Sequence, residues 1–503
     1  MKNWKKLMLI GLLSAQVSSV YADTEKTKIT TKSKNGYSLD FDTQKYMIKT
    51  VNVDGKEMKY RAFENIVYVS NPVDTKYQVM NFYVPEAYYE GKKIGKYSAE
   101  TAPIFFPNTI GGYMPAEPGT IGKSPFGSQQ VNAATIALSK GYVVAQPGAR
   151  GRTTKDENGK YTGKAPSCIV DLKAAVSYLH YNDKVMLGDA EKIISNGTSA
   201  GGALSVLLGA TGDNKDYEPY LKELGAADAR DDIFAVSAYC PITNLDNADM
   251  AYEWLFNGVY NYKKLQMNGM IDFNQKRTFV EGTMSQEQIK LSKELSAMFP
   301  EYINSLKLTK DDGTILNMNA DGSGSFKEYL KSYLIASAQK ALNSGTDLSD
   351  LKWVTVKDKI VTDIDFTSYV NYIGRMKLTP AFDGVDLSSG ENDLFGTADI
   401  QAQHFTKFSK NSSMVNVSMA DANLIKIMNP MNYIGDKHTK VSKYWRIRHG
   451  GADRDTSLAI PVIVATTLKN RGFNVDFAVP WNVPHSGDYD LEELFSWMDR
   501  VCK

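Results

Sequence analysis

Residues 192–212 read KIISNGTSAGGALSVLLGATG, an apolar run that passes through Ser199 into a helical pattern. Gly197-Thr198-Ser199-Ala200-Gly201 has the form G-x-S-x-G, a nucleophile elbow, in which a sharp turn between strand and helix projects a serine hydroxyl into a cleft. Glycine at 197, 201 and 202 removes the Cβ atoms that would hold such a turn away from its neighbours. The same letters also suit a plain glycine-rich connection or a phosphate cradle. The flanking chain has to decide.

Strand-like apolar runs precede and follow the elbow: YQVMNFYVP (77–85), APIFFPN (102–108), YVVAQPG (142–148), KII (192–194) and IFAVSAYCPI (233–242). Between them, VDLKAAVSYLHYN (170–182) sets Val170, Ala174, Tyr178 and Leu179 on one helix face. Strand and helix alternate, which predicts a largely parallel sheet covered on both sides. The pattern returns with YWRIRHG (444–450), a helix from Leu458 to Arg471 stopped by Gly472, VDFAVPW (475–481) and a last helix from Asp490. The interval from about 243 to 428 is different, charged and helically periodic. SQEQIKLSKELSAMFPEYINSL (285–306) opens with a capping box, Ser285 and Gln288, and SFKEYLKSYLIASAQKALNSG (325–345) with Ser325 and Glu328. The expected architecture is an α/β-hydrolase fold, its core formed by 23–242 and 429–503, with a large, mainly helical lid inserted at 243–428. No internal repeat is visible.

Composition agrees with a soluble globular chain that has a sizeable core: 503 residues, 43% hydrophobic and 23% charged. Fifty-eight basic against fifty-seven acidic residues give a net charge of +1. Beyond the first few residues no basic run is interleaved with aromatics, which argues against a nucleic-acid partner. The first 22 residues, MKNWKKLMLIGLLSAQVSSVYA, carry Lys2, Lys5 and Lys6, a short apolar run and Val20-Tyr21-Ala22, the pattern of a cleaved secretory signal. Asp23 follows rather than a cysteine, so export to the periplasm or the medium without a lipid anchor is expected. No later segment approaches the ~18 apolar residues of a membrane span. Cys168, Cys240 and Cys502 are odd in number and far apart, so buried free thiols are expected.

A serine at an elbow needs a base and a carboxylate to hold that base, and in this fold they follow in the order Ser, Asp or Glu, His. Of the five histidines, His180 lies on a helix before the elbow, and His404 and His438 lie in or near the insertion. His449 immediately precedes Gly450-Gly451-Ala452-Asp453 and is placed to shape that loop. His485, in the loop after the last strand, has the position of the base. RHGGADRDTS supplies the acid: Asp453 is the triad partner and Asp455 is left for substrate, with one of Asp455, Thr456 and Ser457 capping the next helix. The oxyanion donors are the N–H of Ala200 and, from the glycines in NTIGGYMPA (108–116), that of Gly112 in preference to Gly111. Histidines and cysteines show no metal-ligand spacing, so neither metal nor organic cofactor is expected.

NTIGGYMP, GARGRTT, NGTSAGGA, ADMAYEW, RMKLTPAFDGVDL, ENDLFG, WRIRHGGADRDTS and PHSGDYDLEELFSW together resemble the bacterial tannases, which cleave galloyl esters. The resemblance runs from about residue 40 to the C-terminus and includes the insertion. It implies the triad Ser199, Asp453 and His485, and a galloyl pocket in which Lys377, Glu391 and Asp455 face the phenolic hydroxyls. The implied substrates are galloyl esters and gallotannins, hydrolysed without a cofactor, by a chain expected to be a monomer. Three adjacent hydroxyls can donate to two carboxylates and accept from an ammonium. The fungal pattern, with cysteines flanking serine and histidine, is absent: Thr198 and Ser486 stand there. Two other readings are a hydroxycinnamoyl or general carboxylesterase with the same triad, and a non-catalytic binding protein on the same scaffold. The latter would be marked by a lost triad member.

Overall fold

A computed structural model describes residues 36–122, 131–265 and 278–503. The expected signal segment, residues 1–22, lies outside the described residues. Nine strands form one sheet: β1 (Met47–Val53), β2 (Lys56–Val67), β3 (Val79–Pro85), β4 (Pro103–Pro107), β5 (Val143–Pro147), β6 (Asp189–Thr198), β7 (Ala235–Tyr239), β8 (Tyr444–Arg448) and β9 (Asn474–Ala478). Their spatial order is β1-β2-β3-β5-β4-β6-β7-β8-β9. The first four in that order pair antiparallel, and every pair from β5/β4 to β8/β9 is parallel. This mixed sheet with flanking helices is the α/β-hydrolase fold.

β3, β4, β5 and β7 are buried at every position, as strands covered on both faces must be, and they read in the sequence as unbroken apolar runs. The hairpin of β1 and β2 was not among the expected strands. β1 alternates without an apolar run, and its signal is instead the turn Asp54-Gly55, both residues at positive φ.

The helices that matter below are α1 (Ser167–Tyr181), α2 (Ala200–Ala210), α3 (Leu245–Leu255), α4 (Gln286–Leu306), α5 (Ser325–Asn343), α6 (Ala459–Asn470) and α7 (Leu491–Val501). α1 was expected to be amphipathic, yet it is buried on all sides from Cys168 to Leu179. Its two charges survive burial because each is paired: Asp171 with Arg150 at 2.8 Å and Lys173 with Asp231 at 2.9 Å. The capping box of α4 forms as expected. That of α5 does not: Gly324 is the N-cap, and the Ser325 hydroxyl accepts the N–H of Asn317 at 2.8 Å. A partner outside the helix has taken the side chain that the local pattern assigned to the cap.

Between β7 and β8 the chain carries α3, α4, α5, several shorter helices and two small antiparallel hairpins, 261–265 with 279–283 and 354–357 with 360–364. Among the described residues no helix is long and apolar enough to cross a membrane.

Candidate active site

Parallel strands present their carboxyl ends at one edge of the sheet, and open α/β sheets bind ligands there. β6 ends at Thr198, and Ser199 follows with φ 62° and ψ −122° before α2 begins at Ala200. A non-glycine residue held at positive φ stores strain and persists only where its surroundings over-determine it. Here they do. The Ser199 N–H donates to Tyr239 O at 3.0 Å, and Ser199 O accepts from Ala203 and Ile242 at 2.9 and 3.2 Å. A Cβ at Gly197 or Gly201 would collide with Asn108 or with the backbone, so glycine is required at both ends of the motif.

Asn108, which the sequence reading did not single out, holds the neighbouring loop. Its side-chain amide donates to Gly201 O at 3.1 Å and Ser205 Oγ at 3.2 Å, while its Oδ1 accepts from Ile110 N at 3.4 Å. The loop after β4 is thereby fastened to the start of α2. Gly112 lies in that loop at φ 55°, followed by Tyr113 at φ 55°. The N–H groups of Ala200 and Gly112 donate to nothing among the described residues. Arg152 accounts for the other side of Gly112: its Nε donates to Gly112 O at 2.8 Å, and its guanidinium pairs with Asp393.

Asp453 is buried in the loop after β8, and His485 lies in the loop after β9. His485 Nδ1 meets Asp453 Oδ2 at 2.8 Å. Asp453 Oδ1 accepts the N–H of Asp455 at 2.8 Å. Burial pulls the His485 imidazole toward the neutral form. Asp453, the Cys240 thiol and Asp455 outweigh it, so its pKa lies well above the usual histidine value. Burial opposes the Asp453 charge in the same way, and the neighbouring His485 and His449 hold its carboxyl below the usual range. On the far side of the ring, His485 Nε2 faces Cys240 Sγ at 3.9 Å. The Ser199 hydroxyl makes no hydrogen bond among the described residues. The structure thus pairs Asp453 with His485, two members of the expected triad, and shows no hydrogen bond from the hydroxyl of the third, Ser199, among the described residues.

Asp455 Oδ2 is 3.9 Å from His485 Nδ1. Glu391 stands in the short helix Gly390–Leu394, close enough to Tyr113 that, after burial, it is the next cause of that phenol's raised pKa. Lys377 rests its ammonium 4.0 Å above the Phe382 ring. None of these three side chains makes a hydrogen bond of its own among the described residues, and neither Lys377 nor Glu391 has an ion-pair partner there. The N-cap of α6 is Leu458, without a side-chain cap bond, and not one of the three expected candidates; Ser457, one residue earlier, accepts the N–H of Ala459 at 3.2 Å.

The other histidines resolve differently. His180 bonds Asp232 O, and His438 is exposed. His449 is buried with neither ring nitrogen hydrogen-bonded and Nδ1 3.8 Å from Asp453 Oδ2. His404 is buried between Asp383 at 2.7 Å and Ser413 Oγ at 2.8 Å, a second Ser-His-Asp line. Ser413, however, donates its one proton to Val415 O at 2.7 Å, which makes the line a structural tie. Cys168, Cys240 and Cys502 are buried free thiols. Cys240, Asp453 and His485 offer ligand atoms within 4.8 Å of one another. An ion held by all three would compete with the hydrogen bond between His485 and Asp453.

The family model BD-FAE, an α/β-hydrolase family, matches residues 123–292. No curated protein matches the chain. Among solved structures, a tannase from Fusobacterium nucleatum is 53% identical, with a TM-score of 0.89, over 93% of this chain and 100% of that one. A tannin acyl hydrolase from Lactobacillus plantarum is 47% identical, with a TM-score of 0.87, over 92% and 99%. A tannin acyl hydrolase in complex with ethyl gallate is 47% identical, with a TM-score of 0.86, over the same shares. At this identity and coverage, with a strand–serine–helix elbow at the carboxyl edge of the sheet, the chain belongs to the bacterial tannases, carboxylic ester hydrolases of the α/β-hydrolase fold.

Proposed function

We propose that this protein hydrolyses the galloyl ester and depside bonds of small gallate esters and gallotannins through an acyl-enzyme on Ser199. The observation that carries the reading is a set of unspent polar groups on the loops after β4 and β8, the elbow and the segment 375–394. The Ser199 hydroxyl, the N–H groups of Ala200 and Gly112, and the side chains of Lys377, Glu391 and Asp455 have no hydrogen-bond partner among the described residues. Asp453 and His485 are already paired at 2.8 Å, and Asp455 Oδ2 is 3.9 Å from His485 Nδ1. The ethyl gallate bound to a related tannin acyl hydrolase supports the same substrate class.

In this mechanism His485 takes the Ser199 proton as Oγ attacks the ester carbonyl, and Asp453 steadies the imidazolium that forms. The oxyanion receives the N–H groups of Ala200 and Gly112. His485 then protonates the leaving alcohol and activates the water that releases gallate. Lys377, Glu391 and Asp455 take the three ring hydroxyls. A ring without them leaves those charges unpaired, a mismatch for which polar sites reject analogues by roughly 10⁴-fold. The segment 243–428 acts as a lid that supplies Lys377 and Glu391. Residues 1–22 direct export to the periplasm or the medium.

The test is labelling by a serine-reactive phosphonate, followed by turnover of methyl gallate. Wild type should be labelled at Ser199 and inactivated, and Ser199→Ala should lose about 10⁴-fold or more in kcat. Turnover that survives in Ser199→Ala would refute the mechanism.

A further inference from the structure

α3 grips the segment 375–383 along one face. Asp249 accepts the N–H groups of Phe382 and Asp383 at 2.7 and 3.0 Å. Glu253 pairs with Arg375, and Arg375 in turn donates to Lys377 O at 3.3 Å. Residues 249, 252 and 253 share a helix face by their spacing of three and four. The member between them, Tyr252, is fully buried, and its hydroxyl does something neither neighbour does.

The Tyr252 oxygen accepts two backbone N–H groups, from Met376 at 3.2 Å and Lys377 at 3.0 Å, and its proton goes to Arg454 O at 3.0 Å. Arg454 O belongs to the peptide whose N–H, that of Asp455, donates to Asp453 Oδ1 at 2.8 Å. One peptide plane is therefore held at one end by Tyr252 and at the other by the triad acid. Its side-chain neighbour along the chain is Asp455. The ring adds a second constraint. Tyr252 packs edge-on against Phe382 with centroids 6.1 Å apart, and Phe382 is the ring on which the Lys377 ammonium rests at 4.0 Å. A single phenol thus fixes the backbone of Lys377, the platform under its ammonium and the plane of the 454–455 peptide.

We infer that Tyr252 is the positioning residue that sets the Lys377 ammonium against Asp455, so that together they fit adjacent hydroxyls on an aromatic acyl group. Tyr252 touches neither substrate nor reacting atoms; it acts through Lys377 and the acid loop. Recognition of a planar trihydroxy ring depends on charges held in register, and a misplacement of about 1 Å can cost about 100-fold. The inference rests on the galloyl reading of Lys377 and Asp455.

Tyr252→Phe keeps the ring and removes the hydroxyl. Compared on methyl gallate and methyl benzoate, it should lower kcat/KM for the gallate about 10- to 100-fold, mostly through KM, and leave the benzoate within about threefold. In a double-mutant cycle with Lys377→Ala, the loss from Tyr252→Phe should largely vanish, since both changes remove the same contact. Because Tyr252→Phe unpairs three buried backbone groups, thermal unfolding is followed alongside. Phe382→Leu, which removes the platform without unpairing any group, should show the same split between the two esters. Equal losses on both esters, or additive effects in the cycle, would overturn the positioning role while the gallate preference of wild type stands. A wild type with no preference for gallate over benzoate would overturn the galloyl reading and this inference with it.

Discussion

At the scale of single residues, the chemistry turns on how His485 is charged before substrate arrives. Its pKa is raised against burial by Asp453, Cys240 and Asp455. In the proposed mechanism the neutral imidazole accepts the Ser199 proton, so kcat/KM should rise with pH through a value above the usual histidine range and fall away below it. Asp455→Asn removes one of the charges that hold the proton on. For phenyl acetate, an ester without ring hydroxyls, the rise should move to lower pH by about one unit or less. An unmoved inflection would show that Asp455 has no electrostatic hold on the base. The elbow at Ser199 and the pairing of Asp453 with His485 were legible in the sequence, because the elbow is a local motif and the order of the other two along the chain is set by the fold. Asn108, Tyr252 and Arg152 were not. Each acts through side-chain bonds to backbone tens to hundreds of residues away, and no local pattern marks such a bond. Cys240 was read only as a buried thiol, and its place beside His485 follows from strand order, which places the end of β7 next to the elbow.

At the scale of elements, α3 is the spine on which the segment 375–383 hangs. Arg375 and Glu253 are both fully buried, with guanidinium–carboxylate contacts of 2.9 and 2.5 Å. Thr379 and Ser292 complete the carboxylate's partners. Removing one member of a buried pair leaves the other charged and unsolvated, so Glu253→Ala should cost roughly 3–5 kcal/mol of stability by urea unfolding. A loss under about 1 kcal/mol would mean that water reaches Arg375. The sequence announced elements in proportion to how local their causes are. Strands buried on both faces gave apolar runs, and α4 gave its capping box. The hairpin of β1 and β2 is stabilised by a turn and by pairing with β3, so its apolar signal is weak. Ser325 shows the converse, a local cap signal overridden by Asn317.

At the scale of the whole molecule, the proposed site draws on six separate stretches of chain: the loop after β4, the elbow, the residue after β7, the loops after β8 and β9, and the segment 375–394. Arg152 ties the loop after β4 to the segment 375–394, bonding Gly112 O and Asp393, and Tyr252 ties the same segment to the loop after β8. The stretch between β7 and β8 is therefore fastened directly to the loops after β4 and β8. Sequence patterns alone showed that this stretch was helical and charged. The assignment of Lys377 and Glu391 to a site came from resemblance alone, since isolated charges on an insertion are ordinarily solvated. In the proposed function, an ordinary serine esterase core reads a trihydroxy ring through Lys377, Glu391 and Asp455. The most direct measurement is kcat/KM for methyl gallate against methyl ferulate, on wild type and on Lys377→Ala, Glu391→Ala and Asp455→Ala. A preference for gallate of about 10³-fold or more is expected in wild type and should shrink in each variant. Comparable turnover of both esters by wild type, with variants that change nothing in the ratio, would contradict it.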